Sequence, residues 1–161
     1  MSQLKSIVES MSYSNVETFI ASGNVIFTTK SSAVSAMEKR IAKNLEAVLG
    51  YEVATFIRTD AEVAAIAERE IFTKEEITGA HSVNIGLLSS PLSPAAQKAL
   101  LAFNTDTELF RLHGNEIHFL SRITMADSKF SNSKFEKQIG TPTSFRNVNT
   151  MVRLAKKYAP K

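Results

Sequence analysis

The residues best placed to do chemistry lie near the C-terminal end, where residues 121–161 hold nine Lys and Arg against two Asp and Glu. Charge of one sign at that density attracts an anion. Lys129 and Arg146 can act as charge partners for a phosphate, while Ser128, Asn132, Asn147, Asn149 and Thr150 can supply hydrogen bonds. A helix starting beyond Arg146 adds its positive N-terminal end. The same residues admit a plainer reading, in which Asn147 or Asn149 caps that helix and Lys156, Lys157 and Lys161 complement its C-terminal dipole. Lys129 and Arg146 are remote from the final turn, so the plainer reading does not cover them.

Other chemistries are thinly represented. His113 and His118 share the outer face of the second hairpin but lack the third ligand a metal needs, and pairing of His113 with Glu116 and of Arg111 with His118 explains them as cross-strand neighbours. There is no Cys, hence no thiol nucleophile, disulfide or zinc ribbon, and no cofactor is called for. No glycine-rich phosphate loop, Gly-x-Ser-x-Gly elbow or His-Glu-x-x-His helix occurs. Asp127 beside Lys129, with Arg146, is the only constellation on which a hydrolase or transferase could be built. Nucleic acid is a weaker partner, because the aromatics of the second hairpin described below point to a core rather than to a stacking platform. The acidic run Glu68, Glu70, Glu75, Glu76 reads as a solvated helix end and linker.

The elements that must position these residues are legible as one pattern written twice. Phe19, Gly23, Asn24 and Ile26 recur as Phe110, Gly114, Asn115 and Ile117, each displaced by 91. Gly-Asn between alternating strands marks a two-residue hairpin turn. Before each hairpin runs an amphipathic helical stripe, Leu4, Ile7, Val8, Met11 and then Ala96, Ala99, Leu100, Phe103. After each comes another helix, ending at Gly50 and at Gly140. Strands are predicted over 52–57 and 141–145, each feeding a further helix, the first of which opens on the capping-box spacing Thr59 and Glu62. A strand over 82–88 and a helix start at Ser93-Pro94 complete the second copy as βαββαβ plus a trailing helix.

The expected fold is therefore α+β, two tandem ferredoxin-like (α/β-plait) subdomains with antiparallel sheets backed by helices, divided into residues 1–79 and 80–161. In the first copy the leading strand would fall before Met1, so it is expected upstream of the sequence. In the second hairpin Phe110, Leu112, Ile117 and Phe119 form a core face and Arg111, His113, Glu116 and His118 a wet one. In the first, Phe19, Ala21 and Ile26 face the core, leaving Ile20, Val25 and Phe27 as an apolar outer face for either the other domain or a second protomer to cover.

The Ser22-Gly23-Asn24 turn and the C-terminal residues Ser128, Lys129, Asn132, Phe135, Glu136, Gly140, Arg146, Asn147, Asn149, Thr150, Arg153 and Leu154 resemble the bacterial domain of unknown function 1697 family over essentially the whole chain. The resemblance implies tandem plaits and no established activity. That family opens with a strand and a glycine-rich loop, which here would also lie upstream of Met1. Phe145 and Val148 depart from its pattern, standing where Thr and Trp are usual.

Apolar runs stop at about five residues, against roughly 20 for a membrane span. Neither a basic n-region nor an apolar h-region follows Met1. Function is thus expected to be that of a cytoplasmic binding module with a small anionic ligand in the second subdomain. The alternatives are an enzyme with its pocket between the subdomains, and a homodimer without small-molecule chemistry.

Overall fold

The computed structural model describes residues 2–20 and 23–160. Ala21, Ser22 and Lys161, which the sequence reading uses, lie outside them. The chain divides into two compact α+β units, Met1–Ile57 and Arg58–Lys161, each built on an antiparallel sheet.

In the first unit the order is α1 (Ser2–Glu9), β1 (Ser14–Phe19), β2 (Asn24–Thr28) and α2 (Val34–Leu49). Helix α2 buries Met37, Ile41 and Leu45, one residue per turn, and of these Ile41 and Leu45 meet Ile7 and Met11 in a small core. It stops at Gly50, whose φ of 82° is left-handed, as is Gly140 at φ 77° after the corresponding helix of the second unit. Buried Glu38 accepts the backbone N–H of Ile57 at 3.0 Å, tying the end of the unit to α2.

Two expectations fail here. The β1–β2 connection is not a two-residue turn at Gly23-Asn24: Phe19 lies opposite Asn24, and the register shifts between Ser14 and Glu17. Phe27 packs on the helix side, its ring tilted against that of Tyr13 at 4.4 Å, rather than outward for a partner. Of the proposed interface residues only Ile20, in the loop at φ 57°, is exposed, while Val25 is half-buried. Residues 52–57 belong to no helix and join no ladder. Their counterpart in the second unit bonds only to the leading strand of its repeat, and the first unit has no described strand in that position.

The second unit contains α3 (Asp60–Glu68), α4 (Lys74–Thr78), β3 (Ser82–Leu87), α5 (Pro94–Leu101), β4 (Glu108–His113), β5 (Glu116–Ser121), α6 (Asn132–Ile139), β6 (Ser144–Asn147) and α7 (Val148–Lys157). The ladder order is β4-β5-β3-β6, antiparallel throughout. The predicted capping box forms, Thr59 Oγ1 accepting the Glu62 N–H while Glu62 accepts the Thr59 N–H. The last strand starts at Ser144 instead of Thr141, because residues 141–143 are occupied in closing α6: the Thr143 N–H bonds to Glu136.

Helices lie on both faces of this sheet. On one side α5 and α6 cover Phe110, Ile117, Phe119, Phe135 and Leu100, with Phe110 and Phe119 stacked at 4.3 Å. This confirms the predicted core face. On the other, Ile66 of α3 and Met151 of α7 meet Ile85 of β3. The compact-unit boundary thus lies at Ile57/Arg58, whereas the sequence reading divides the chain at 79/80; α3 is drawn into the second unit by that contact. At Gly86 the backbone passes under Phe145, so that a Cβ there would stand 2.7 Å from the ring.

Candidate functional site

The predicted anion ligands do not converge on one point. Position in the sheet separates the two cations: Phe145 packs on Phe119, Phe130 and Phe135, so its neighbour Arg146 must face the opposite side, where it is registered with Ile85. There Arg146 is partly buried and donates to Ser144 Oγ and to the Phe145 carbonyl, both at 2.9 Å; burial pushes its guanidinium below the ordinary arginine range. Lys129 stands on the other side of the sheet, with Phe110 and Phe130.

Most of the remaining candidates are engaged in holding the backbone. Ser128 Oγ donates to buried Glu108 at 2.7 Å and accepts the Phe130 N–H. Asn132 accepts from Thr143 Oγ1 and donates to Glu136. Asn147 caps α7 by accepting the Asn149 N–H, as the plainer reading has it, and Asn149 and Thr150 lie in the first turn of that helix.

What Lys129 does line is a small cavity that adjoins a groove between α5 and α6. A cavity of about 490 Å³ is bounded by Ala99, Ala102, Phe103, Lys134, Lys137 and Gln138. It shares Ala102 and Phe103 with a second one of about 270 Å³ that reaches Phe130, Phe110, Glu108 and Lys129. The floor is apolar because α5 places alanines at 99 and 102, too short to fill the space beside Phe103. Three exposed lysines surround it. The single carboxylate, Glu108, is held by Ser128. Lys134 and Lys137 escape a search for polar triads because they sit three apart on one helix with no motif around them; the signal for them is the charge count and the α6 periodicity.

The opposite face of the hairpin holds a second polar group, and here the expectation of a wet surface is wrong. Glu116 and His118 are buried, 6% and 3% exposed, because residues 69–78 lie across them. Arg69 grips Glu116 with both Nε at 3.1 Å and a terminal nitrogen at 3.0 Å, His118 Nε2 lies 3.0 Å from the same carboxylate, and Arg69 also reaches His113 at 3.3 Å. Burial by itself raises the Glu116 carboxyl, but the hydrogen bonds from His118 and Arg69 outweigh it and hold the group below its ordinary value. Seven residues beyond Arg69, a reciprocal pair forms: Arg111 of the sheet donates to Glu76 at 2.9 and 2.7 Å and to the Ile71 carbonyl, and lies over the Phe72 ring at 4.9 Å. The Arg111 hydrogen bonds and the Thr73 N–H lower the Glu76 carboxyl to about 2. Glu76 is therefore part of a clasp and not a solvated linker charge. The registers His113 with Glu116 and Arg111 with His118 are as predicted. Among the described residues no three His, Asp or Glu side chains are grouped to hold a metal ion, and no helix is long and apolar enough to cross a membrane.

Comparison with known proteins follows the fold. The family model described as "Protein of unknown function (DUF1697)" matches residues 1–118. No curated protein matches the chain. Among solved structures, a conserved bacterial protein, SP0830 from Streptococcus pneumoniae, is similar at a TM-score of 0.66 and 17% identity, over 98% of this chain and 88% of that one. At that identity the likeness is one of fold.

Proposed function

The chain belongs to the DUF1697 family of proteins of unknown function, and from that premise we propose that it is a cytoplasmic binding module whose second unit takes a small anion with an apolar body in the α5–α6 groove. The architecture that accompanies this reading is a tandem plait. In its favour, the second unit runs β-α-β-β-α-β with ladder order β4-β5-β3-β6, the order of a ferredoxin-like fold, and the first repeats the helix, hairpin and helix.

The observation that carries the binding proposal is the ring of Lys129, Lys134 and Lys137 around an apolar floor of Ala99, Ala102, Phe103 and Phe130. The larger cavity, at about 490 Å³, is in the range of small-molecule sites. The floor takes an aromatic or aliphatic body, and the lysines take the charge. Arg146, on the opposite face, is outside this site, and Lys129 is the member of the predicted set that belongs to it.

1-Naphthyl phosphate tests the proposal by titration calorimetry. It should bind in low salt, with uncharged 1-naphthol weaker, and Lys134→Glu with Lys137→Glu should weaken the phosphate by about tenfold or more, each lost charge pair near a surface being worth up to about 1 kcal/mol. Equal affinity of phosphate and alcohol, or an unchanged affinity in the double variant, refutes it.

A further inference from the structure

We infer that the ligand of the α5–α6 groove is an aromatic anion bearing a neutral N–H donor at the end remote from its charge, and that Glu108, in the smaller cavity, is the residue that selects for that donor. The inference rests on the binding proposal above and adds to it the chemistry of the ligand's second end.

Glu108 is 8% exposed. It lies two residues from Phe110 on β4, and both line the cavity of about 270 Å³, so strand parity puts the Glu108 side chain on the α5–α6 side of the sheet. One carboxylate oxygen, Oε2, accepts the Ser128 hydroxyl at 2.7 Å. The other, Oε1, accepts no hydrogen bond among the described residues, yet it is not sealed in: the described side-chain oxygens that are both shut from solvent and unpartnered are those of Tyr13 and Ser82. Oε1 therefore opens to the cavity that Glu108 lines. Nor does Glu108 form an ion pair among the described residues, whereas the comparably buried Glu116 has Arg69. A carboxylate withdrawn from water without a cation is costly, and a buried acceptor left open calls for a reason. Holding Ser128 is not a sufficient one, because an uncharged glutamine at 108 would accept the same O–H.

The charges are sorted along the groove. Lys134 and Lys137 line the larger cavity, Glu108 the smaller, and Ala102 and Phe103 both. An anion is repelled by Glu108 and drawn to the two lysines, its apolar body then lies along Ala102 and Phe103, and the far end of that body meets Oε1. That end must donate a hydrogen bond. Lys129 also lines the smaller cavity, so a full cation is disfavoured there and an uncharged N–H on the ring is favoured.

The experiment is titration calorimetry of the full chain in low salt with 1-naphthyl phosphate, 5-amino-1-naphthyl phosphate and its 5-dimethylamino analogue, which keeps the nitrogen but has no N–H. The amino compound should bind about tenfold tighter than either of the others, the factor expected of a hydrogen bond to a charged acceptor. In Glu108→Gln the preference of amino over parent compound should fall to about twofold or less, since the charge that strengthens the bond is gone. The three-ligand comparison on the wild type decides the matter even where the variant does not fold. An amino compound no tighter than the parent, a dimethylamino compound as tight as the amino one, or an unchanged preference in folded Glu108→Gln overturns the inference and leaves the groove reading standing; absence of binding by all three phosphates removes both.

Discussion

Replacing Arg69 by methionine tests whether the polar group beneath residues 69–78 is a buried ion cluster or an ordinary surface pair. Glu116 receives two hydrogen bonds from Arg69, at 3.1 and 3.0 Å, and has His118 as its other contact at 3.0 Å. The Glu116 side chain is 8% exposed and that of Arg69 26%. Removing one partner of a fully buried pair costs about 3–5 kcal/mol, because the remaining charge stays desolvated. Arg69 is about one-quarter accessible, so water can replace part of what it supplies, and the expected loss is nearer 2–3 kcal/mol. Urea unfolding at neutral pH, followed by far-ultraviolet circular dichroism, measures it through the midpoint at constant slope.

Glu116→Leu alone should cost less than Arg69→Met alone, since the arginine it strands reaches solvent. The double variant should recover most of the loss, giving a coupling of about 1.5 kcal/mol or more. The pH dependence has a definite sign. The folded carboxyl of Glu116 lies below its unfolded value, so its contribution is complete above the unfolded value of about 4.3 and fades as the pH falls through the folded one. Wild type and Arg69→Met should therefore converge in acid. A loss below about 0.5 kcal/mol at neutral pH, the figure for an exposed pair, or strict additivity in the double variant, refutes the buried-cluster reading.

Glu76, with its carboxyl held at about 2, should keep stabilising the second unit as the pH falls past the unfolded glutamate value near 4.3, losing its effect only between there and about 2; melting curves of Arg111→Ala should lack that acid tail. Gly86→Ala forces a Cβ to 2.7 Å from a Phe145 ring that is wedged against Phe119, Phe130 and Phe135, and should cost about 1–3 kcal/mol. Adding Phe145→Leu should return part of it. Thr59→Ala removes the cap of α3 and should lower stability by about 1 kcal/mol in the same urea assay.

The second hairpin was legible because its two faces differ: Phe110, Ile117 and Phe119 alternate with Arg111, Glu116 and His118, so only one register buries the apolar set. The first hairpin offers no such contrast. Val25, Ile26 and Phe27 are apolar in succession, so either face can be buried and the local pattern does not choose between them. Residues 52–57 have the composition of a strand, but being a strand requires a neighbour, which no local pattern supplies. The wet-face error has the same origin. Arg69 and Glu76 lie 47 and 35 residues from their partners, and nothing in Glu116 or Arg111 announces that a distant segment will cover them. The separation of Lys129 from Arg146 follows from Phe145 turning inward, after which strand parity fixes Arg146 on the far side.

The two pairs that fasten residues 69–78 have opposite polarity. At one end the covering segment contributes the cation and the sheet the anion, and at the other the roles are exchanged. Like a keyed connector, such an arrangement tolerates one alignment only: docking the segment end for end would set Arg69 against Arg111 and Glu76 against Glu116. Exchanging the ions within both pairs at once should preserve attachment and its direction, while exchanging them within one should keep both pairs attractive but leave the two alignments electrostatically alike, so the order of charges along 69–78 encodes the direction in which the segment crosses the sheet.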